Sequence, residues 1–279
     1  MKVLVLSDVD VVSFYRAHGR MLAEGHQVLV PRVEEQIDWF DVMRADAVLI
    51  PRAVTAEQAQ ACRLVKACGK HLILDYDDAL FALPLSNPVF LEYARTHDNV
   101  RICISYANEI HFSTDACREN FGYARGLVKK NRAAFVTGKE TWNADSTLAA
   151  WRGSATHIRD VDAYAADIVA HALANGITRF RFFGTIHDEL ATRLEAAHIS
   201  IDASPAQSLH IYMEDLKDSA PKFLYIPLAK CTFNDAKSDI AALEGIAAGA
   251  LPVVFGAPAE FSWVTGDFAE CLAYAVGRR

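Results

Sequence analysis

Short apolar runs alternate with segments of helical period along the whole chain. Lys2–Leu6 is almost continuously apolar and stops at the polar stretch Ser7–Asp10, the pattern of a parallel strand buried on both faces. Ser13–Glu24 has helical spacing ended by Gly25, and His26–Val30 reads as a second strand. Ala47–Ile50 is a third, followed by Pro51-Arg52, a helix from Thr55 to Ala67, Gly69 and the strand Leu72–Leu74. Beyond Asp78 the pattern is irregular through Pro84 and Pro88. It resumes with helical segments over Phe90–Thr96 and Val100–Ala107, a strand Glu109–Phe112, a helix capped by Thr114 and a last strand Ala133–Val136.

The polar stretch Thr137–Ser146 lacks periodicity and reads as a link, after which the alternation starts again. Thr147–Trp151 is a strand, Val161–Ala174 a helix capped by Asp160, and Arg179–Phe183 a strand ending at Gly184. His187–Ala196, Ile199–Ile201, Gln207–Lys217 and Phe223–Ile226 continue as helix, strand, helix and strand. A polar turn from Phe233 leads to a helix beginning near Ser238, whose hydroxyl suits an N-cap, and Gly249 stops it. The strand Leu251–Phe255 and a closing helix Gly266–Val276 complete the pattern. Strand–helix alternation of this kind implies parallel sheets with right-handed crossovers. The expected architecture is α/β: two Rossmann-like doubly wound domains, residues 1–140 and 141–279, facing each other across a cleft.

The 279 residues suffice for two such cores. A net charge of −7 argues against a broad basic surface for nucleic acid. Six scattered cysteines form no CxxC pair, so neither a zinc ribbon nor a disulfide framework is indicated. No run is long enough to span a membrane, and the N-terminus begins as a strand rather than a signal peptide. A cytoplasmic protein is the expectation.

Parallel sheets carry their working groups just past the carboxyl ends of the strands. In the first half those places hold Asp8 and Asp10, then Arg52, then Asp75, Asp77 and Asp78, with Tyr15 and Arg16 on the first helix facing the same rim. An Asp-x-Asp after a strand is one way to hold a divalent metal on a diphosphate; carboxylates that cap a loop are the plainer alternative. In the second half, Trp151-x-Gly153-Ser154-x-x-His157-x-x-Asp160 places a glycine after a strand, where backbone can approach a diphosphate, followed by a hydroxyl and an imidazole. Arg159 stands beside them, although Gly153 can equally be an ordinary turn. Towards the C-terminus, Asn234, Lys237 and Ser238 precede a helix whose dipole and free N–H groups suit a phosphate. Glu244, almost two turns on, is a carboxylate suited to a ribose diol. The alternative is that Lys237 and Glu244 are solvated residues of an ordinary amphipathic helix.

Three segments, Leu74–Pro84, Trp151–Asp160 and Phe233–Val254, resemble GT-B glycosyltransferases, in particular the short bacterial or phage type of the retaining group called family 4. The resemblance implies a nucleotide-diphosphate sugar donor, no metal or other cofactor, and retention of configuration. It implies that Lys237, with Arg159 and the Ser238 N–H, stabilises the leaving diphosphate and that Glu244 holds the ribose. Gly153, Ser154, His157 and Asn234 would line the donor. The aspartate loop would face the acceptor, with Asp77 or Asp78 as general base, alongside Asp8, Tyr15, Arg16, Arg52 and Asp75. Many family members have a Glu eight residues before the position of Glu244, where this chain has Ala236. A nucleotide-sugar epimerase and a non-catalytic nucleotide-sugar-binding protein are the alternatives. The acceptor is left open among glycan, lipid-linked sugar, protein and modified DNA base.

Overall fold

A computed structural model describes residues 1–7, 13–29, 39–133, 135–256 and 258–278, with only the backbone of Ser13. The chain divides into two compact units. The first comprises Met1–Leu85, Val89–Arg132 and Ala236–Ser238; the second comprises Ser86–Pro88, Ala133–Asp235 and Asp239–Arg279.

The first unit is built on β1 (Lys2–Val5), β2 (Gln27–Leu29), β3 (Ala47–Pro51), β4 (His71–Tyr76), β5 (Glu109–Phe112) and β6 (Leu127–Val128). They form one parallel sheet in the order β2-β1-β3-β4-β5-β6, with Val3 opposite Ala47 and Ala47 opposite His71. All five residues of β3 are buried, which explains the unbroken apolar run AVLIP. A π-helical turn over Ser13–His18 runs into α1 (Gly19–Ala23), from which Ala17 and Met21 pack on Val3, Val5 and Leu49. After α2 (Trp39–Arg44), α3 (Ala56–Ala67) begins with a capping box: Thr55 accepts from the Gln58 N–H, and the Gln58 side chain accepts from the Thr55 N–H.

Two expectations change in this unit. The helical segments 90–96 and 100–107 are one helix, α4 (Phe90–Tyr106); of the polar residues between them, Asn99 Nδ2 donates to Val54 O at 3.3 Å, a His97 ring nitrogen lies 3.3 Å from Leu80 O, and Asp98 accepts from Arg101. The described residues of 133–136 form no strand, since the Val136 N–H turns back onto Ala133 O at 2.9 Å. The sheet closes instead with the two-residue β6, after α5 (Asp115–Asn120) capped by Thr114.

The second unit has β7 (Leu148–Gly153), β8 (Arg179–Gly184), β9 (Ser200–Ser204), β10 (Phe223–Pro227) and β11 (Leu251–Phe255), all parallel in the order β11-β10-β7-β8-β9. Its helices are α6 (Ile158–Ala174), α7 (Asp188–Ala196), α8 (Leu209–Ser219), α9 (Thr232–Asp235), α10 (Ile240–Ala247) and α11 (Phe268–Gly277). The core is aromatic: Trp151, Phe180, Phe182, Phe223 and Tyr225 alternate onto one face of the sheet and meet Val161, Ala165 and Ile168 of α6. Phe180 and Tyr225 stack at 5.9 Å with nearly parallel rings.

Helix starts are where this unit departs from expectation. α6 opens at Ile158 after a 3₁₀ turn at Ala155–His157, so Asp160 lies in its first turn and is not its cap. The turn expected before α10 contains the short helix α9, and α10 is preceded by Asp239, not Ser238. Among the described residues, no helix is long and apolar enough to cross a membrane.

Phe180 is fully buried against Phe182 and Tyr225. Phe180→Ala is expected to lower stability by about 3–5 kcal/mol, the usual cost of removing a large buried ring. Denaturant unfolding measures it, and a loss below about 1 kcal/mol would contradict the packing described.

Candidate functional site

In the second unit the connections run outward from β7 to β8 and β9 on one side, then return to β10 and β11 on the other. The direction reverses between β7 and β10, and the crevice beyond their carboxyl ends is where open α/β sheets hold ligands. Gly153 ends β7. Ser154 Oγ then accepts from the Thr156 N–H, shaping the turn that delivers His157 to the start of α6. β10 ends at Pro227, and the chain passes Ala229 on its way to α9.

One buried carboxylate ties these two strand ends together. Asp160 Oδ2 lies 2.9 Å from His157 Nδ1, while Oδ1 accepts from the Ala229 N–H at 3.0 Å and from Asn234 Nδ2 at 2.6 Å. Asn234 Nδ2 also donates to Ala229 O at 2.7 Å. Gly153, Ser154, His157 and Asn234 therefore gather at one place. Arg159 is exposed in the same first helical turn, with no partner among the described residues. Gly153 has a packing reason for lacking a side chain: a Cβ there would stand 2.7 Å from the Trp151 indole and 3.3 Å from the His157 ring. Gly184, at φ +108°, would place a Cβ 2.3 Å from Gly153 O, so only glycine lets the tips of β7 and β8 approach so closely. His187 follows, buried against the Trp151 ring at 4.6 Å, and burial lowers its pKa.

Glu244, in the middle of α10, is buried. Arg152 Nε lies 2.9 Å from its Oε2, and Tyr212 Oη donates to the same oxygen at 3.1 Å. The carboxylate thus already has a cation and a hydroxyl as partners. Sequence reading missed both Arg152, although it adjoins Gly153, and Tyr212, whose position on α8 carries no motif. Asp239 sits at the cap position of α10 without capping it. Its Oδ2 instead accepts from Trp263 Nε1 and Arg278 Nη1, both at 3.0 Å.

Ala236–Ser238 belongs to the first unit. Thr114 Oγ1 donates to Ala236 O at 2.9 Å, Asn131 Nδ2 donates to Ser238 Oγ at 3.0 Å, and Lys237 Nζ lies 2.8 Å from Asp78 Oδ1. Ser238 is therefore not a helix cap; Asn131 engages its hydroxyl. Asp78 Oδ2 accepts from Arg52 Nη2 at 2.8 Å, and Arg52 also grips Asp77 through Nε at 2.9 Å and Nη2 at 2.5 Å. Burial alone would lower the Arg52 pKa, but the charges of Asp77 and Asp78 overturn that and raise it above its usual value. Arg52 has φ +50°, a left-handed conformation that costs a non-glycine residue of order 1–3 kcal/mol.

Asp75 and Arg16 lie inside the first unit rather than on its rim. Arg16 Nε and Nη2 donate to the two oxygens of Asp75 at 2.7 and 2.9 Å, and Arg20 Nη2 approaches Oδ2 at 3.3 Å. Arg16 Nη1 donates to Lys129 O and to Asn131 Oδ1. Tyr15 is likewise buried, edge-on to Phe14 at 5.3 Å. Arg20 and Asn131 were missed because their partners lie far along the chain. Asp8 and Asp10 lie outside the described residues.

No family model and no curated protein matches the sequence. Solved structures do match in shape. Anabaena Alr3699/HepE in complex with UDP and glucose superposes with a TM-score of 0.54 at 11% identity, covering 99% of this chain and 89% of that one. The same protein in complex with UDP-glucose gives 0.54 at 12%, with the same coverage. AviGT4, a glycosyltransferase involved in avilamycin A biosynthesis, gives 0.54 at 14%, covering 100% and 88%. The chain has the GT-B fold. At such identities the likeness carries the fold, and the chemistry of this GT-B chain lies in its own residues.

Two outcomes follow from the buried charges. Asp75→Ala leaves Arg16 and Arg20 buried without their counter-charge, and an unfolding experiment should show a loss of about 3–5 kcal/mol; a change within experimental error would refute the pairing. His111, His171 and His187 all have pKa values lowered by burial. Unfolded histidine titrates near about 6.5, so below that pH the unfolded chain takes up protons that the folded chain refuses. Stability should be full above that pH and decline towards pH 5. Denaturation midpoints unchanged between pH 7.5 and 5.5 would contradict this.

Proposed function

We propose that the protein is a glycosyltransferase that moves a sugar from a nucleotide-diphosphate sugar to a hydroxyl-bearing acceptor. The observation that carries the reading is the convergence of Gly153, Ser154, His157 and Asn234 outside the ends of β7 and β10, the ligand position of a doubly wound sheet. The fold it shares with HepE, whose complexes contain UDP and UDP-glucose, supports a diphosphate donor.

In this reading the donor diphosphate lies against the first turn of α6, where the backbone N–H groups, His157 and the unpartnered Arg159 face negative charge. Lys237, on the first unit, is the cation this reading assigns to the leaving diphosphate. It now neutralises Asp78, and a diphosphate oxygen replaces or shares that carboxylate when the donor binds. Stabilising the charge that develops on the leaving group is the dominant electrostatic term in such transfers. Glu244, held by Arg152 and Tyr212, faces the ribose. Asp77 and Asp78, oriented by Arg52, receive the acceptor hydroxyl and its proton.

We assign no metal to the reaction. Asp75 has Arg16 and Arg20 as counter-charges, and Asp77 and Asp78 have Arg52 and Lys237, so the Asp-x-Asp run does not offer a cation an uncompensated pair of carboxylates. Retention of configuration follows from the resemblance to family 4. The six cysteines are all free, in keeping with a reducing compartment such as the cytoplasm.

A thermal-shift panel of nucleoside diphosphates and their sugars, with and without EDTA, tests the reading. A nucleotide-diphosphate sugar should stabilise the protein equally in both conditions, and Lys237→Ala should weaken its binding by about 1–3 kcal/mol. Unchanged affinity in folded Lys237→Ala, or stabilisation abolished by EDTA, would overturn the corresponding part. Product formed without any acceptor would indicate an epimerase instead.

A further inference from the structure

Asp160 is placed at the strand ends of the second unit as if to orient something. It is buried, and three groups point at it from three different segments: His157 from the 3₁₀ turn, the Ala229 N–H from the loop after β10, and Asn234 from α9. The network assigns its own hydrogens. Asn234 presents one amide atom to two acceptors, Asp160 Oδ1 and Ala229 O, so that atom is the NH₂ group. The Ala229 N–H is also only a donor. Asp160 Oδ1 accepts both of these bonds, and in the remaining contact, between Oδ2 and His157 Nδ1, the ring nitrogen is the donor. Nε2 of His157 is then the atom left to act, on a ring whose side chain is 27% exposed.

His157, Asp160, Asp162 and Asp188 carry the charges that act on His187 at the start of α7, and Arg159 stands two residues beyond His157 on α6. Burial lowers the pKa of His187. Its Nε2 has no partner among the described residues. His157, with a carboxylate behind Nδ1 and its outer edge towards solvent, is the ring equipped to carry a proton.

We infer that His157 is a proton-linked clamp for the donor diphosphate and that Asp160 is its positioning residue, holding Nδ1 so that Nε2–H meets a phosphate oxygen. The inference rests on the glycosyltransferase reading. On binding, a proton from solvent adds to Nε2 of the neutral ring, giving an imidazolium between two anions, the Asp160 carboxylate and the phosphate. No bond other than this N–H forms or breaks. Affinity therefore weakens as the pH rises above neutrality, since the proton becomes harder to recruit. The same carboxylate, through Ala229 and Asn234, couples the loop after β10 to the position of the ring.

Calorimetry of UDP-glucose binding at pH 7.5, in buffers of different ionisation enthalpy, tests this. UDP-glucose is apt because its diphosphate diester does not titrate near neutrality; ADP-, GDP- and dTDP-glucose replace it should it not bind. The expected result is net proton uptake by the wild type, no uptake by His157→Gln with affinity reduced roughly 10- to 100-fold, and diminished uptake by Asp160→Asn. In the ligand-free wild type, ¹⁵N side-chain NMR should show neutral His157 as the Nδ1–H tautomer. This holds the inference to account even where Asp160→Asn fails to fold. Binding without proton uptake, uptake surviving in His157→Gln, or the Nε2–H tautomer would each overturn the clamp while leaving the glycosyltransferase reading standing. Failure of all four nucleotide sugars to bind would sink both.

Discussion

A carboxylate taken out of water must find donors or cations, and that requirement organises both units of this chain. Asp75, Asp160, Asp239 and Glu244 are all buried. Each is met by groups from distant parts of the sequence: Asp75 by Arg16 and Arg20, Asp160 by Ala229 and Asn234, Asp239 by Trp263 and Arg278, Glu244 by Arg152 and Tyr212. Such pairs add little net stability compared with well-packed apolar residues, because desolvation offsets the attraction. They are intolerant of misplacement, since an unpaired member is costly. What they contribute is register: a loop with the wrong geometry leaves a buried charge without a partner.

The parallel sheets decide where these carboxylates gather. The central strands β3 and β10 are buried along their length and the chain turns polar beyond their carboxyl ends, so groups that need partners emerge on one edge of each sheet. In the first unit that edge carries Arg52, Asp77 and Asp78 in one charge network with Lys237. In the second it carries the His157–Asp160–Asn234 arrangement, with the tips of β7 and β8 brought close by two glycines. The first edge is a balanced set of cations and carboxylates. The second exposes a histidine and an arginine at a helix start, the more natural host for an anion.

The left-handed backbone at Arg52 fits this division of labour. Its N–H bonds Asp75 O at 2.7 Å, while its guanidinium spans Asp77 and Asp78. One residue thus links the end of β3 to the loop after β4 through both main chain and side chain. Strain of this kind persists only where surrounding bonds over-determine it.

The sequence by itself determined the strand–helix alternation, the two α/β units and the strand ends as the place to look, because apolar runs, glycine stops and N-caps such as Thr114 act over a few residues. It also picked out Gly153, Ser154, His157 and Asn234, which the structure brings together. Tertiary structure alone decided the rest. Asp160 looked like a cap and is a buried acceptor for residues about seventy positions away; Ser238 looked like a cap and is bonded to Asn131; Arg16 and Asp75 looked like rim residues and are locked inside the first unit. Arg152, Tyr212, Arg20 and Asn131 gave no local signal at all. The physical reason is the same in each case: a polar side chain announces that it needs a partner, but only the order of strands in the folded sheet settles which partner lies within 3 Å.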